Sequence, residues 1–215
     1  MNGFQRFVIK FVSLFYPVKY YGLENIPEGG AVLVSNHLSL IDSVYLRRMY
    51  MGEMYFLAKK ELFKNKLMGK IFKSFGAIPI DREKPELRSL LTAASVLKKG
   101  SKLLIFPEGT RNKTGTTELQ PIKNGSVVLA VKTRTPIVPI MVYKKARLFR
   151  RNYLMIGKPF DFSEFYDKKI SPVEIESMDS VVREQMIAQQ KSFALVLTNR
   201  KKSTGIKRQN ADSNR

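Results

Sequence analysis

Short apolar segments alternate along this chain with segments of helical periodicity, and this alternation restricts the fold more than any other feature. The segments that predict strands are Ala31–Ser35, Tyr55–Ala58, Ala77–Ile80, Lys102–Phe106, Ile137–Val142 and Tyr153–Ile156. Those that predict helices are Leu40–Tyr50, Glu61–Phe75, Leu87–Leu97 and a long segment from the Ser171-Pro172-x-Glu174 capping box to about Leu197. This order predicts an α/β fold with a mixed, largely parallel sheet flanked by helices.

The length and composition predict one folded domain. A chain of 215 residues with 44% hydrophobic content can bury one sizeable core and little more. We expect an amphipathic helix over residues 1–18, the folded domain over residues 19–198, and a basic, disordered tail over residues 199–215.

The N-terminal segment has an apolar side and a polar side when it is drawn as a helix. Arg6, Lys10 and Ser13 lie opposite a set of large apolar residues, namely Phe4, Phe7, Val8, Phe11, Leu14 and Phe15. No apolar run in the chain approaches the roughly 20 residues that a membrane-spanning helix needs. The pattern therefore predicts either a helix that lies in a membrane interface or one that packs on its own domain.

The net charge predicts an anionic partner. There are 38 basic and 18 acidic residues, which gives +20. The last sixteen residues hold six basic residues and one acid, so +5 belongs to the tail and +15 to the body. A run from Lys144 to Arg151 contains no acid. Such charge is typical of proteins that bind a membrane, a nucleic acid or a phosphorylated substrate.

The counts of cysteine and histidine exclude several kinds of chemistry. The chain has no cysteine, which excludes disulfides, thiolate metal ligands and a cysteine nucleophile. It has one histidine, so any reaction that needs an imidazole must use His37. A metal site would need to consist almost entirely of carboxylates, and we expect neither a metal nor a cofactor.

The motif Asn36-His37-Leu38-Ser39-Leu40-Ile41-Asp42 follows a predicted strand directly. His37 thus falls in a strand-to-helix turn, where open α/β sheets usually bind their ligands. His37 and Asp42 can meet only if His37 precedes the helix proper. Two structural alternatives stay open: His37 as a hydrogen-bonded structural histidine, and Ser39-x-x-Asp42 as a capping box.

Two further motifs end apolar strands. Phe106-Pro107-Glu108-Gly109-Thr110-Arg111 places Glu108 and Arg111 at the sheet edge that carries His37, and Gly109 lets the backbone approach a ligand closely. Arg111 has the geometry to hold a phosphate through two parallel hydrogen bonds. The alternative is a turn with solvated charges. Gly76 to Arg82 ends a third strand with an arginine.

Taken in order, these motifs resemble the four blocks of the 1-acylglycerol-3-phosphate acyltransferase family. The blocks are Asn36–Asp42, Gly76–Arg82, Phe106–Arg111 and the proline-centred Ile137–Ile140, and Lys123-Asn124-Gly125 also resembles the family. The similarity covers roughly residues 20–160. Two departures are Pro79, where phenylalanine is more frequent, and Ser126, where alanine is usual. The resemblance implies a glycerol-3-phosphate acyltransferase-like fold.

The resemblance also implies an activity and the residues that perform it. His37 would be the general base and Asp42 would orient it, while an acyl group passes from acyl-CoA or acyl carrier protein to lysophosphatidic acid, another lysophospholipid or glycerol 3-phosphate. Ile137 and Pro139 would line the acyl pocket. The acceptor would contact Arg82, Glu108, Gly109, Thr110, Arg111 and Lys123. We expect a peripheral protein on the cytoplasmic face of an anionic membrane.

Two rival functions belong to other classes. The charge also suits a nucleic-acid-binding protein, but no nucleic-acid motif is present and the aromatic residues do not alternate with the basic run. We therefore expect no nucleic-acid partner. A lipid-binding protein without catalysis would have the same fold, but it would not need both His37 and Asp42.

Overall fold

The computed structural model describes residues 3–81, 86–114, 116–122 and 125–212, with side chains described as far as residue 199. Its strands, in chain order, are β1 (Val18–Tyr21), β2 (Ala31–Ser35), β3 (Met54–Lys59), β4 (Ala77–Ile80), β5 (Lys102–Ile105), β6 (Ile137–Val142) and β7 (Asn152–Ile156). Its helices are α1 (Gly3–Phe15), α2 (Ile41–Met49), α3 (Lys66–Ser74), α4 (Leu87–Lys98), α5 (Gly125–Thr133) and α6 (Pro172–Asp212).

The seven strands form one sheet in the order β1-β7-β6-β2-β5-β3-β4. The five strands from β6 to β4 are mutually parallel, β7 is antiparallel to β6, and β1 is parallel to β7. The predicted mixed, largely parallel sheet is confirmed. Because β2 and β5 are parallel neighbours with Val34 opposite Ile105, the loops that follow them leave the same edge of the sheet.

Helices cover both faces of the sheet, and the residues of β2 alternate between them. Val32 and Val34 pack in a cluster with residues of α4, α5 and α6, whereas Ala31 and Leu33 pack in a second cluster with α2. All four side chains have no exposed surface. A central parallel strand that is buried on both faces is continuously apolar for this reason.

The starts of two helices, α6 and α3, are set by side-chain caps. The Ser171–Glu174 capping box is confirmed: the Ser171 backbone and side chain both donate to Glu174 Oε2 at 2.7 Å. Asn65 accepts from the backbone of Leu67 and Met68, so α3 begins at Lys66. The predicted start near Glu61 is therefore wrong, because a separate 3-10 turn at Lys60–Phe63 precedes this cap.

Other elements differ from the prediction. The sequence patterns did not predict β1 or α5. Helix α6 continues to Asp212, beyond the predicted end near Leu197. The helix takes up residues 199–212 of the tail that the sequence predicted to be disordered, and side chains from residue 200 onward lie outside the description. Among the described residues, no helix is both long and apolar enough to cross a membrane.

Candidate active site

The turn that carries His37 is held in place by the residue before it. Asn36 is buried, its side-chain amide donates to the backbone oxygen of Val142 at 3.0 Å, and its side-chain oxygen accepts from the backbone N–H of Val142 at 2.8 Å. Val142 is the last residue of β6. This pair of bonds locks the end of β2 to the neighbouring strand just where the chain turns towards His37.

His37 and Asp42 meet as predicted. Nδ1 of His37 lies 3.2 Å from Oδ2 of Asp42, which is fully buried. The same oxygen accepts from the backbone N–H groups of Leu38 at 2.7 Å and Ser39 at 2.6 Å. Asp42 therefore bonds the backbone of the turn and contacts the histidine ring with the same oxygen, and its catalytic role stays a prediction.

The orientation of the His37 ring determines what its other nitrogen can do. The ring stacks on Phe106, with centroids 3.9 Å apart and planes 18° apart. With the Nδ1 proton directed at a carboxylate, the neutral ring presents a lone pair on Nε2. No described residue bonds Nε2, and the side chain keeps 11% of its surface exposed. The imidazole is thus arranged as a base at the open edge of the sheet.

Glu108 connects two loops at this edge. The side chain is 3% exposed; its Oε1 accepts from the backbone N–H of His37 at 2.9 Å and its Oε2 from that of Gln120 at 3.1 Å. Burial raises the pKa of the Glu108 carboxyl, and the two N–H groups oppose that shift. This geometry supports a positioning role for Glu108, and its contact with substrate stays a prediction.

The sequence patterns did not single out Asn112, which completes the connection. Its backbone N–H donates to the carbonyl of His37 at 2.8 Å, and its side-chain amide donates to the carbonyl of Glu118 at 2.9 Å. Its side-chain oxygen also accepts from the backbone N–H of Thr114 at 2.9 Å. Only the position of Asn112, one residue after the Phe106–Arg111 block, hinted at a role.

The last two residues of the Phe106–Arg111 block face outwards. Gly109 has φ 69°, a left-handed conformation that favours glycine at this sharp turn. Thr110 and Arg111 are exposed. Arg111 forms no ion pair with any described residue, so its guanidinium is available to an anionic ligand near the His37 edge.

The remaining predicted residues do not gather at this edge. Arg82 and Lys123 lie outside the described residues. Ile137 and Pro139 are buried in β6, paired with Val32 and Val34. At about 3.3 Å per residue, the level of Ile137 is about 16 Å below that of His37 along the sheet. Their role in an acyl pocket stays a prediction.

A basic groove of about 620 Å³ opens between the loop that follows β6 and the loop that follows β5. Lys144, Lys145 and Arg147 form one wall, and the residues 116–118 form the other. Both walls are attached to the His37 turn, one through Val142 and the other through Asn112. Within the described part of the chain, no group of three or more His, Cys, Asp or Glu residues could hold a metal.

Comparison with known proteins gives the family of this chain. Residues 17–143, more than half of the chain, match the family model described as Acyltransferase. The chain belongs to the acyltransferase family. The resemblance found in the sequence motifs is therefore confirmed.

Individual relatives carry a narrower name. A 1-acyl-sn-glycerol-3-phosphate acyltransferase from Bacillus subtilis (strain 168) is 33% identical over 183 residues, 80% of this chain and 90% of that protein. One from Borreliella burgdorferi is 28% identical over 77% of this chain and 68% of that protein. The crystal structure of the 1-acyl-sn-glycerophosphate (LPA) acyltransferase PlsC from Thermotoga maritima has a TM-score of 0.60 at 27% identity, covering 86% of this chain and 81% of that one.

Proposed function

We propose that this acyltransferase moves a fatty acyl group from a thioester donor to the free hydroxyl of lysophosphatidic acid, giving phosphatidic acid. The observation that carries the proposal is the His37–Asp42 pair at the sheet edge, where no described residue bonds Nε2 and where the loop after β5 carries Arg111, which forms no ion pair with a described residue. The names of the relatives support lysophosphatidic acid as the acceptor.

In the proposed mechanism His37 acts as general base. Nε2 takes the proton of the acceptor hydroxyl as its oxygen attacks the thioester carbonyl carbon, and a tetrahedral intermediate forms. Asp42 stabilises the imidazolium that results. The intermediate then releases the thiolate, which takes the proton back from His37. The ester C–O bond replaces the C–S bond, and the enzyme returns to its starting protonation state without an acyl-enzyme.

On the acceptor side, we propose that Arg111 binds the phosphate, together with the predicted contacts Arg82 and Lys123. A guanidinium recognises phosphate through paired, charge-assisted hydrogen bonds. The exposed position of Arg111, five residues after Phe106 on which the His37 ring stacks, supports this assignment.

On the donor side, the proposed substrates are acyl-CoA and acyl carrier protein. Both carry a phosphopantetheine group next to further acidic groups. The basic groove beside the His37 turn would complement that charge, since Lys144, Lys145 and Arg147 line it and only Glu118 among its described lining residues is acidic.

We also propose that the protein binds peripherally to the cytoplasmic face of a membrane through α1. This helix turns Gln5 and Ile9 towards the domain, while Phe7, Phe11 and Leu14 are 67%, 55% and 73% exposed. An exposed row of large apolar side chains beside a buried glutamine is typical of a helix that lies in a bilayer interface. The lack of cysteine suits a reducing compartment.

A panel assay with purified full chain tests the activity. Lysophosphatidic acid, lysophosphatidylcholine and glycerol 3-phosphate are each offered with acyl-CoA and with acyl carrier protein carrying the same chain. We expect lysophosphatidic acid to give the highest kcat/KM. Preference for another acceptor would assign the chain to a different acyltransferase reaction, and no transfer to any acceptor would contradict the proposal.

A further inference from the structure

The loop between β6 and β7 ends in an exposed apolar tip. Leu148 and Phe149 are 50% and 67% exposed. They lie between Arg147 and the pair Arg150 and Arg151, all exposed and none in an ion pair with a described residue. We call residues 147–151 the tip. Half or more of the surface of these two apolar side chains therefore faces solvent, among cations that no described residue pairs.

The tip has a defined shape, which a merely loose surface loop would lack. One buried side chain organises it: Oδ1 of Asn152 accepts from the Arg147 N–H at 3.0 Å, and its amide donates to the carbonyls of Arg147 at 3.2 Å and Arg150 at 2.7 Å. The same amide reaches the carbonyl of Pro17 at 3.2 Å. Phe149 has φ 52°, a left-handed conformation rare for a bulky residue. The fold therefore holds this phenylalanine outwards at some cost.

The tip is joined directly to α1. The backbone N–H of Phe149 donates to the carbonyl of Phe15 at 2.7 Å, and their rings lie 5.6 Å apart. Ring contacts continue along the helix, at 5.2 Å between Phe15 and Phe11 and 6.2 Å between Phe11 and Phe7. Segments more than 130 residues apart in the chain thus form one exposed aromatic surface.

We infer that the tip is a second membrane-binding element, which inserts Leu148 and Phe149 into the same leaflet as α1 and sets the orientation of the enzyme. The occupant of this surface is an anionic bilayer, because apolar side chains surrounded by arginines match the acyl region and the acidic headgroups of such a leaflet. This inference rests on the proposed function to the extent that a lipid acceptor requires access to a leaflet.

The second contact matters because one helix on a membrane leaves the domain free to roll about the helix axis. The tip belongs to a different part of the chain, the loop between β6 and β7, so contact through both elements restricts this freedom. The tip follows β6, and the last residue of β6, Val142, is bonded to Asn36 beside His37. Contact through the tip therefore turns the His37 edge of the sheet towards the leaflet. Leu40, 67% exposed at the start of α2, lies at this same edge.

The test compares a tip variant with a matched control in the full chain. The tip variant combines Leu148→Ser with Phe149→Asn, since asparagine tolerates the left-handed conformation. The control combines Val173→Ser with Leu195→Ser, two side chains of α6 that are 76% and 66% exposed. Binding is measured by sedimentation with vesicles of phosphatidylcholine and phosphatidylglycerol. Activity is measured with lysophosphatidic acid in those vesicles and with a short-chain, water-soluble form without vesicles.

We expect the tip variant to bind vesicles at least about tenfold more weakly, because two large apolar side chains leave the bilayer. Its rate on vesicle-borne acceptor falls by more than its loss of binding, since the bound enzyme is wrongly oriented. Its rate on the water-soluble acceptor is unchanged, and the control behaves as wild type throughout.

Several outcomes would overturn the inference. These are wild-type binding by the tip variant, an equal loss of rate on the water-soluble acceptor, or a change in oligomeric state, which would show that a second copy covers the tip. A failure of the proposed function would look different. Wild type would then act on neither form of lysophosphatidic acid, whereas sedimentation with vesicles would still show whether the tip binds the membrane.

Discussion

A single oxygen of Asp42 makes three contacts. The choice of substitution therefore determines what an experiment on this residue can show. Oδ2 accepts from two backbone N–H groups and meets His37, whereas the buried Oδ1 has no hydrogen-bond partner among the described residues. Truncation of Asp42 would remove the bonds that stabilise the turn and the histidine partner together. An isosteric change keeps the shape of the side chain and removes only its charge.

At His37 and Asp42 we predict that His37→Ala lowers kcat by about 10²- to 10⁴-fold, the usual contribution of general base catalysis. Asp42→Asn should be nearly as severe: an amide oxygen in the place of Oδ2 still accepts the same bonds, but the neutral amide no longer stabilises the imidazolium that forms on His37. The measurements are steady-state kinetics and the thermal midpoint. If Asp42→Asn lowers only the midpoint, Asp42 is a structural cap alone.

At Arg111 we predict selective loss of acceptor binding. Arg111→Ala should lower kcat/KM for lysophosphatidic acid by about tenfold to a hundredfold, the range expected for a charge-assisted hydrogen bond, and change the donor KM little. Arg111→Lys should restore part of the loss, because it keeps the charge without the paired geometry. Lys113→Ala, also exposed in this loop, is the control. Equal losses for both substrates would argue against phosphate binding.

Among the elements, α1 packs on the domain through the side that its amphipathic pattern does not favour. The amide of Gln5 donates to the carbonyl of Ser74 and Ile9 is 5% exposed, so the narrow inner side of the helix is the one that meets the domain. The wide aromatic side stays in contact with solvent. A helix that merely completed the core would have the opposite orientation.

For α1 we predict that Phe7→Ser combined with Phe11→Ser weakens binding to anionic vesicles at every salt concentration. The contribution of the basic residues is screened by salt, whereas the apolar contribution is not. Sedimentation in low and high salt measures both. The midpoint of urea unfolding should hardly change, since both side chains are more than half exposed. Unchanged vesicle binding with loss of the fold would show that the helix belongs to the core.

At the scale of the whole molecule, one buried carboxylate makes the stability of the fold depend on pH. Asp179 in α6 is 7% exposed, and neither of its oxygens has a hydrogen-bond partner among the described residues. Burial raises the pKa of Asp179 from 3.8 to about 6. The folded protein therefore binds a proton that the unfolded chain releases between these values, and its stability falls as the pH rises through this window.

We predict that Asp179→Asn raises the free energy of unfolding at pH 8 by on the order of 2 kcal/mol, because the amide removes the buried charge. The gain is full above the folded pKa, shrinks as the pH falls, and is lost below 3.8, where Asp179 is protonated in both states. Urea unfolding of both proteins at pH 8 and pH 5 measures the difference. A gain that does not depend on pH would show that ionisation is not its cause.

The sequence by itself determined the features that depend on neighbours in the chain. Ala77–Ile80 and Ile137–Val142 are strands with the predicted bounds, since a run of apolar residues between turns is a local signal. The five-residue spacing of His37 and Asp42 permitted their contact on the condition that His37 precedes the helix, and this condition depends only on the local turn. The order of the strand-end motifs was enough to predict the family, and the alternation of strand and helix segments predicted the largely parallel sheet.

Only the tertiary structure decided the features that depend on distant segments. The contact of Glu108 with the His37 backbone spans 71 residues, and no periodicity encodes it. Strand β1 pairs with β7, the last strand in the chain. Its short Val18–Tyr21 segment therefore showed no strand pattern of its own. The same holds for Phe149 beside Phe15: two apolar residues in separate patterns become one surface only when the sheet brings β7 to the end of α1.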